Sequence, residues 1–142
     1  MKGEVRLIDG VRFQVTSGSG HSTFTDGPPE EGGKNLGMRP MEMVLLGMGG
    51  CTAFDVVQIL RKRRREPKLV EIEMEAVRAQ QVPKVFTSIH LKYRVRGDDI
   101  KEREVRRAID LSLETYCSAT RMLASTAKVT YELELLESPN SD

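Results

Sequence analysis

Two cysteines, Cys51 and Cys117, are the residues of this 142-residue chain with the most definable chemistry. A cysteine attacks as its thiolate, and at an unperturbed pKa of ~8.5 few thiols are ionised at neutral pH. A reactive cysteine therefore needs a local positive field from an arginine or a helix N-terminus. The alternative is that both cysteines are small buried hydrophobic residues.

The composition is that of a soluble globular protein, with 39% hydrophobic and 30% charged residues and a net charge of +1. This charge gives no electrostatic reason to expect a nucleic acid or a membrane as the main partner. The longest uncharged apolar run falls short of the roughly 20 residues of a membrane helix, and the N-terminus does not open a signal peptide. We therefore expect a cytoplasmic protein whose cysteines are free, redox-active or buried.

The segment 39–66 predicts one long helix with Cys51 near its middle. Its apolar residues cover more than one face, so we expect it to be buried nearly all round at the centre of the fold. The glycines at 47, 49 and 50 weaken a helix, a cost best understood if another backbone passes close by. Cys51 would then lie at a tight crossing.

Alternating apolar and polar residues predict short strands on both sides of this helix. The first 25 residues contain a hairpin around Asp9–Gly10 and a third short strand, followed by a mobile loop up to Gly37. Three further strands fall at 70–77, 89–96 and 129–135. Their outer faces are acidic, basic and acidic, so we expect the first two to pair antiparallel, with opposite charges favouring one register.

Two helices are predicted between the last two strands. Asp99 and Glu102 resemble a capping box, and an amphipathic helix follows to about Tyr116. A short helix then runs from Ser118, so its first turn lies at or just after Cys117. We expect one α+β domain over 1–142, made of an N-terminal strand region and loop (1–38), the central helix (39–66), a β-β-α-α-β region (67–137) and a disordered tail (138–142).

The segment PMEMVLLGMGGCTAFDVV, followed by YCSATRMLA and the strand VTYELEL, resembles the osmotically inducible protein C and organic hydroperoxide resistance (OsmC/Ohr) family, in particular its YhfA-like branch. The resemblance extends over nearly the whole chain. It implies an intertwined homodimer in which long central helices pack together against antiparallel β-sheets, with two active sites at the interface. The implied activity is a thiol-dependent peroxidase acting on organic hydroperoxides, and we expect no cofactor.

The resemblance also implies roles for individual residues. Cys51 resembles the peroxidatic cysteine, which attacks the O–O bond and becomes a sulfenic acid, and Cys117 resembles the resolving cysteine. An external dithiol would reduce the resulting disulfide. The family uses an arginine held by a glutamate to stabilise the thiolate; here the candidates are Glu42 with Arg12 or Arg39. Arg12 is preferred because the family's arginine comes from the N-terminal strands.

The glutamate departs from the family pattern, because Met41 directly follows Pro40 and Glu42 comes one place later. One step along a helix turns a side chain by about 100°. Glu42 would also lie roughly 13 Å along the axis from Cys51, so it could serve that cysteine only from the other subunit. The alternative is a first-turn acid favoured by the helix dipole.

Two rival functions remain open. The first is a non-catalytic OsmC-like protein that binds a small apolar ligand at the dimer interface, with unreactive cysteines. The second is a nucleic-acid adaptor using the basic run 61–65, although cations at a helix C-terminus are expected on dipole grounds alone. The apolar pocket for either a hydroperoxide or another ligand would be lined by Met41, Met43, Leu45, Met48 and Phe54.

Other titratable residues are given structural roles. His21 and His90 lie far apart and form no recognisable zinc pattern with the cysteines, so we predict no metal. Asp55, in the predicted buried helix, needs a partner, for which Arg61 and Lys128 are the candidates.

Overall fold

The computed structural model describes residues 1–139. The chain forms two compact units, Met1–Leu46 and Gly47–Asp142. The predicted disordered tail falls mostly outside the described residues. Within them, the Ser138 hydroxyl donates to the Asp98 carboxylate at 3.1 Å.

The first unit contains a three-stranded antiparallel sheet in the order β1-β2-β3. Its strands are β1 (Gly3–Asp9), β2 (Arg12–Ser17) and β3 (Ser22–Thr25), and one turn of 3-10 helix follows at Pro29–Glu31. Gly10 lies in the predicted hairpin turn with φ of 50°, a left-handed conformation that favours glycine. The hairpin and the third strand are therefore where the alternating pattern predicts them.

The loop after β3 is held by one carboxylate rather than left free. Asp26 accepts N–H groups from Gly27 at 2.8 Å, Lys34 at 3.2 Å and Leu36 at 3.0 Å. Desolvation by burial opposes the ionisation of Asp26, but these three N–H groups and the charge of Arg12 outweigh it. They hold the pKa of Asp26 below its ordinary value.

The long helix, α1, runs over Pro40–Lys62 and buries one face. It ends in a Schellman motif, in which Arg64 has φ of 61° and the Arg65 N–H donates to the Leu60 carbonyl. In the second unit its buried side chains recur every four residues, at Met48, Thr52, Val56 and Leu60. Phe54 is 65% exposed. The expectation that α1 is buried nearly all round is therefore wrong for the protomer. Apolar residues do lie on more than one side of the helix, but only one side is buried.

By length and composition alone, α1 contains an 18-residue window apolar enough to cross a membrane. The core helix of a soluble protein passes the same test. Only 28% of that window is buried. The helix therefore keeps an apolar face that the protomer leaves uncovered.

The glycines before Cys51 differ in what surrounds them. A Cβ on Gly49 would lie 2.6 Å from the end of the Met74 side chain, whereas a Cβ on Gly47 or Gly50 would meet no atom of residues 1–139 within 4 Å. Within the described residues of the protomer, no backbone passes close to these three glycines, so the prediction is wrong for the single chain. A flexible side chain approaches Gly49, and the other two glycines lie on the uncovered side of the helix.

The second unit contains a mixed sheet in the order β4-β5-β6. Its strands are β4 (Leu69–Arg78), β5 (Phe86–Arg96) and β6 (Lys128–Leu135). β4 and β5 pair antiparallel as predicted, but β5 and β6 pair parallel. Parallel neighbours need a long crossover, which the helices between them provide. The expectation of purely antiparallel sheets is corrected on this point.

The outer face of this sheet carries the predicted charge pattern. Arg94 on the central strand contacts Glu73 of β4 at 3.0 Å and Glu134 of β6 at 3.2 Å. The basic strand therefore lies between two acidic ones, which favours this register.

The crossover begins with α2 (Glu102–Leu111), continues through a π turn (Ser112–Tyr116) and ends with α3 (Ser118–Leu123). The sequence predicts a capping box that begins at Asp99, but the observed one begins two residues later. In it, the Lys101 N–H donates to the Glu104 carboxylate at 3.0 Å. The π turn is wider than an α-helical turn and leads directly to Cys117.

Candidate active site

Cys117 lies at the N-cap of α3 and is fully buried. Its sulfur accepts hydrogen bonds from the Thr120 N–H at 3.4 Å and the Thr120 hydroxyl at 3.0 Å. Its own N–H donates to the Ser112 carbonyl at 2.7 Å, which closes the π turn. The short helix therefore starts where the sequence predicts and holds the second cysteine in one orientation.

The structure brings the two cysteines together. Cys51 is half-buried on α1, and its sulfur, the Cys117 sulfur and a carboxylate oxygen of Asp55 all lie within 4.8 Å of one another. We call these three residues the thiol cluster. Asp55 belongs to it because it follows Cys51 by four residues and so projects from the same side of the helix.

The two thiols differ in their surroundings. Burial raises the pKa of Cys117, and the hydrogen bond and charge interaction with Cys51 raise it further. The hydrogen bonds from Thr120 act in the opposite direction without offsetting this. Cys117 therefore keeps its proton, while Cys51 has the more accessible sulfur.

A buried row of hydroxyl groups leads to the thiol cluster from the core. The Tyr93 hydroxyl lies 2.8 Å from that of Thr52, which lies 2.8 Å from that of Ser112. Ser112 in turn donates to the Asp55 carboxylate at 3.0 Å. We call Tyr93, Thr52 and Ser112 the hydroxyl chain. Burial raises the pKa of Tyr93, so its phenol stays protonated.

The partners predicted for Asp55 are wrong. Ser112 is its hydrogen-bond partner, and Arg61 pairs instead with Glu66 at 2.7 Å. Within residues 1–139, neither Arg61 nor Lys128 forms an ion pair with Asp55. Ser112 is separated from Asp55 by 57 positions, so no local pattern could reveal it. The four-residue spacing from Cys51 was the signal that could have placed Asp55 in the site.

The candidate arginines are engaged within the first unit. An Arg12 Nη donates to Asp9 at 3.0 Å, and its guanidinium lies 5.7 Å from the centre of the Phe24 ring. The Arg12 Nε is buried and has no hydrogen-bond partner among the described residues. Arg39 donates through one Nη to the carbonyls of Asp26 at 3.3 Å and Gly37 at 3.4 Å.

Glu42 lies in the first turn of α1 and caps its N-terminus. Its carboxylate accepts the Arg39 N–H at 2.7 Å, which is half of a capping box. Over the part of the chain that the structure describes, Glu42 forms no ion pair with Arg12 or Arg39. This matches the alternative interpretation of Glu42 as a first-turn acid, while its role toward a partner subunit stays a prediction.

The thiol cluster also has donor atoms that a metal ion could use. Zinc binds cysteine sulfur and carboxylate oxygen, and three such atoms lie close together here. The expectation of no metal was based on the histidines and the cysteines, and Asp55 is the donor that it left out. Any assay of the thiols therefore needs a chelator.

A groove of about 630 Å³ opens beside the thiol cluster. Asp55 lies on its wall, so the groove adjoins the cluster through this carboxylate. Met48, predicted to line an apolar pocket, is instead a fully buried core residue. The groove is lined by Phe54, Asp55, Gln58, Ile59, Lys62, Arg63, Leu111 and Tyr116.

A sequence profile of the family described as OsmC-like protein matches residues 32–132, which include both cysteines. The chain belongs to this family. Protein YhfA of Escherichia coli strain K12 is similar, with 40% identity over 136 residues that cover 96% of this chain and 98% of YhfA. The resemblance to OsmC/Ohr proteins and to YhfA is thereby confirmed.

Solved structures agree with this OsmC-like assignment. A crystal structure of a protein from Aquifex aeolicus VF5 matches with a TM-score of 0.79 at 29% identity, covering 96% of this chain and 97% of that one. The organic hydroperoxide resistance protein OhrB of Bacillus subtilis matches with a TM-score of 0.64 at 17% identity, covering 94% and 98%. The second likeness shows a shared fold only. The predicted α+β OsmC-like fold is confirmed.

Proposed function

We propose that this OsmC-like protein is a thiol-dependent peroxidase that reduces organic hydroperoxides. The observation that supports it best is the meeting of two thiols of different accessibility in the thiol cluster. The accessible Cys51 suits attack on a peroxide. The buried Cys117, whose pKa is raised, does not compete for the peroxide and lies close enough to resolve the oxidised Cys51. Similarity to a family that includes organic hydroperoxide resistance proteins supports the same choice of substrate.

The proposed reaction balances in three steps. The Cys51 thiolate attacks the distal oxygen of the hydroperoxide, the O–O bond breaks, and an alcohol and a Cys51 sulfenic acid form. Cys117 then attacks the Cys51 sulfur and displaces water, which leaves a disulfide. An external dithiol reduces that disulfide and is itself oxidised. The protein works in the cytoplasm, where such reductants are available.

The active form in this proposal is a homodimer. The uncovered face of α1, with Gly47, Gly50 and the 65% exposed Phe54, is suited to burial against a second copy. Arg12 is the preferred cation for the partner's Cys51, because the N–H of its buried Nε is accepted by none of residues 1–139. Phe54→Glu should convert the dimer to monomer in light scattering, and a dimer that survives this change would exclude the α1 face.

The peroxidase proposal is tested by thiol counting. Reduced protein in a chelator is mixed with one equivalent of cumene hydroperoxide, and free thiols are measured after denaturation. We expect both thiols to disappear and a Cys51–Cys117 cross-linked peptide to appear in mass spectrometry. Cys51→Ser should not react, whereas Cys117→Ser should accumulate a sulfenic acid that dimedone traps.

A non-catalytic binding protein is the second candidate. The groove beside the thiol cluster favours it, because Phe54, Ile59 and Leu111 offer an apolar wall that a small ligand could cover. The same experiment separates the two candidates. If both thiols survive the hydroperoxide unchanged, the peroxidase proposal fails and ligand binding in the groove becomes the function to test.

A further inference from the structure

We infer that the thiol cluster is a binding site for one zinc ion, held by the sulfurs of Cys51 and Cys117 and by one carboxylate oxygen of Asp55. Three features support this site: the chemistry of the donors, the distances between them, and the hydrogen bonds that hold two of them. Zinc binding does not depend on the proposed peroxidase activity, although a bound ion would compete with that activity for the same sulfurs.

The donor set suits zinc. Thiolate sulfur and carboxylate oxygen are both ligands of zinc sites in proteins, and two thiolates favour zinc over Mg²⁺ or Ca²⁺, which prefer oxygen. Both cysteines of the chain belong to the cluster. Within residues 1–139, no second group of three cysteine, histidine, aspartate or glutamate side chains has its donor atoms as close together. The cluster is therefore the place in the described chain where a zinc ion fits best.

The distances leave room for an ion between the three donors. All three atoms lie within 4.8 Å of one another. Atoms this close all lie within about 2.8 Å of a common point, and zinc needs about 2.3 Å to sulfur and about 2.0–2.2 Å to carboxylate oxygen. Each donor would therefore have to move by less than about 1 Å to bind the ion, a shift that a small side-chain rotation provides.

Hydrogen bonds already orient two of the three donors. Ser112 donates to the Asp55 carboxylate at 3.0 Å, and its hydroxyl is also bonded to that of Thr52 at 2.8 Å. The Cys117 sulfur accepts the Thr120 N–H at 3.4 Å and the Thr120 hydroxyl at 3.0 Å. Donors that hydrogen-bond to a metal ligand fix its orientation and stabilise its negative charge. The carboxylate and the buried thiol are therefore held in place before an ion binds.

An ion in the thiol cluster would keep one open coordination position. Zinc in proteins is usually four-coordinate, so three protein donors leave a place for a water molecule. Asp55 lies on the wall of the groove beside the thiol cluster, and Cys51 is half-buried. Water and the ion can therefore reach the cluster from the side of this groove.

The charge of the site is compatible with the homodimer proposed above. Two thiolates and one carboxylate carry one negative charge more than Zn²⁺ neutralises. An arginine from a second copy beside Cys51 would balance this remaining charge rather than repel the ion. Zinc and the proposed arginine can therefore share one active site.

A bound zinc ion would block both thiol steps of the proposed peroxidase reaction. Cys51 attacks the peroxide through the sulfur electrons that the ion would hold, and Cys117 would be engaged in the same way. Zinc should therefore protect both thiols from a hydroperoxide, and a chelator should restore the reaction. This consequence rests on the proposed function, whereas the binding of zinc does not.

The test uses Co²⁺ as a spectroscopic probe of the zinc site. Co²⁺ is added to the reduced full-length protein without a chelator, and sulfur-to-cobalt charge-transfer absorption in the near ultraviolet is followed. We expect saturation at about one Co²⁺ per chain and loss of the absorption when Zn²⁺ displaces the cobalt. Competition with a chromophoric chelator then gives the affinity for Zn²⁺.

Each donor has its own variant. Cys51→Ser, Cys117→Ser and Asp55→Asn should each weaken zinc binding at least about 100-fold, more than the loss of a residue that only orients a ligand. If Asp55→Asn does not fold, Ser112→Ala serves instead, and it should weaken zinc binding about tenfold.

Asp110→Asn is the matched control. Asp110 is also a part-buried aspartate that accepts a hydroxyl hydrogen bond, from Tyr131 at 2.7 Å, but it is not a member of the thiol cluster. Its replacement should leave the affinity for Zn²⁺ within twofold of wild type.

The outcomes separate the zinc site from the peroxidase proposal. If Co²⁺ gives no charge-transfer absorption, or if Asp55→Asn binds Zn²⁺ as tightly as Asp110→Asn, the three-donor site is overturned. The peroxidase proposal then still stands or falls by the reaction of the metal-free protein with cumene hydroperoxide. If zinc binds as expected but the metal-free protein does not react, the zinc site is supported and the peroxidase proposal fails.

Discussion

Replacing Thr52 by valine should destabilise the fold far more than its small change in shape suggests. The Thr52 hydroxyl lies between those of Tyr93 and Ser112, at 2.8 Å from each, and all three residues are buried. Valine removes both hydrogen bonds and leaves the Tyr93 phenol without a partner among the described residues. Each buried hydroxyl that loses its partner costs about 1–3 kcal/mol. Ser112 keeps its hydrogen bond to Asp55 and is therefore not left unpaired. We expect the free energy of unfolding to fall by about 2–4 kcal/mol in total.

The measurement is urea-induced unfolding at one fixed protein concentration, because subunit association would also contribute to stability. The midpoint should fall while the slope of the transition stays constant. Thr130→Val is the control, since the Thr130 hydroxyl contacts His90 at 2.7 Å in an exposed pair. It should cost less than about 0.5 kcal/mol.

A double-mutant cycle sharpens the test. Tyr93→Phe removes the phenol hydroxyl but leaves Thr52 bonded to Ser112, so it should cost only about 1 kcal/mol for that hydrogen bond. In Thr52→Val/Tyr93→Phe no phenol is left unpaired, and the double variant should lose clearly less stability than the two single losses added. If Thr52→Val costs under about 0.5 kcal/mol, or if the losses simply add, the hydroxyl chain is not the coupled unit described here.

Two further predictions concern titration. Asp26→Asn should lower the free energy of unfolding most at neutral pH, because the pKa of Asp26 in the folded state is depressed below 3.8. The stabilisation by its charge is fully present above 3.8 and is lost as the pH falls through the folded-state pKa. Urea unfolding at pH 7 and pH 3 checks this, and a gap from wild type that widens on acidification would refute it. Iodoacetamide at neutral pH should modify Cys51 before Cys117, because burial shields Cys117 and raises its pKa. Peptide mapping that finds Cys117 modified first would contradict the assignment of Cys51 as the more reactive thiol.

The strands could be predicted from the sequence because their signal is local. The acidic and basic alternation that brings Glu73 beside Arg94 is visible along each strand separately. The parallel pairing of β5 with β6 was not predictable in the same way, since an alternating strand has the same pattern in either direction. That direction depends on the crossover, which is a property of the whole second unit.

The candidate site shows the same division between local and distant information. Cys117 at a helix start and Cys51 on a long helix follow from short stretches of sequence. The contact of Asp55 with Ser112 joins residues 57 positions apart and needs the fold. The uniform apolarity of α1 predicted burial on every side, but a protomer can cover only one side. The apolar side that the protomer leaves exposed is the face proposed above for contact with a second copy.

Ser112 is the residue through which the second cysteine and the carboxylate are held relative to each other. Its carbonyl accepts the Cys117 N–H at 2.7 Å, and its hydroxyl donates to Asp55 at 3.0 Å. The first bond spans five residues and exists because the turn is π-helical; an ordinary α-helical turn would pair the Ser112 carbonyl with Tyr116 instead. The wide turn thus lets one residue hold Cys117 through its backbone and Asp55 through its side chain. Because Asp55 lies on the same helix as Cys51, the two Ser112 bonds tie the backbone of the buried Cys117 to the helix that carries Cys51.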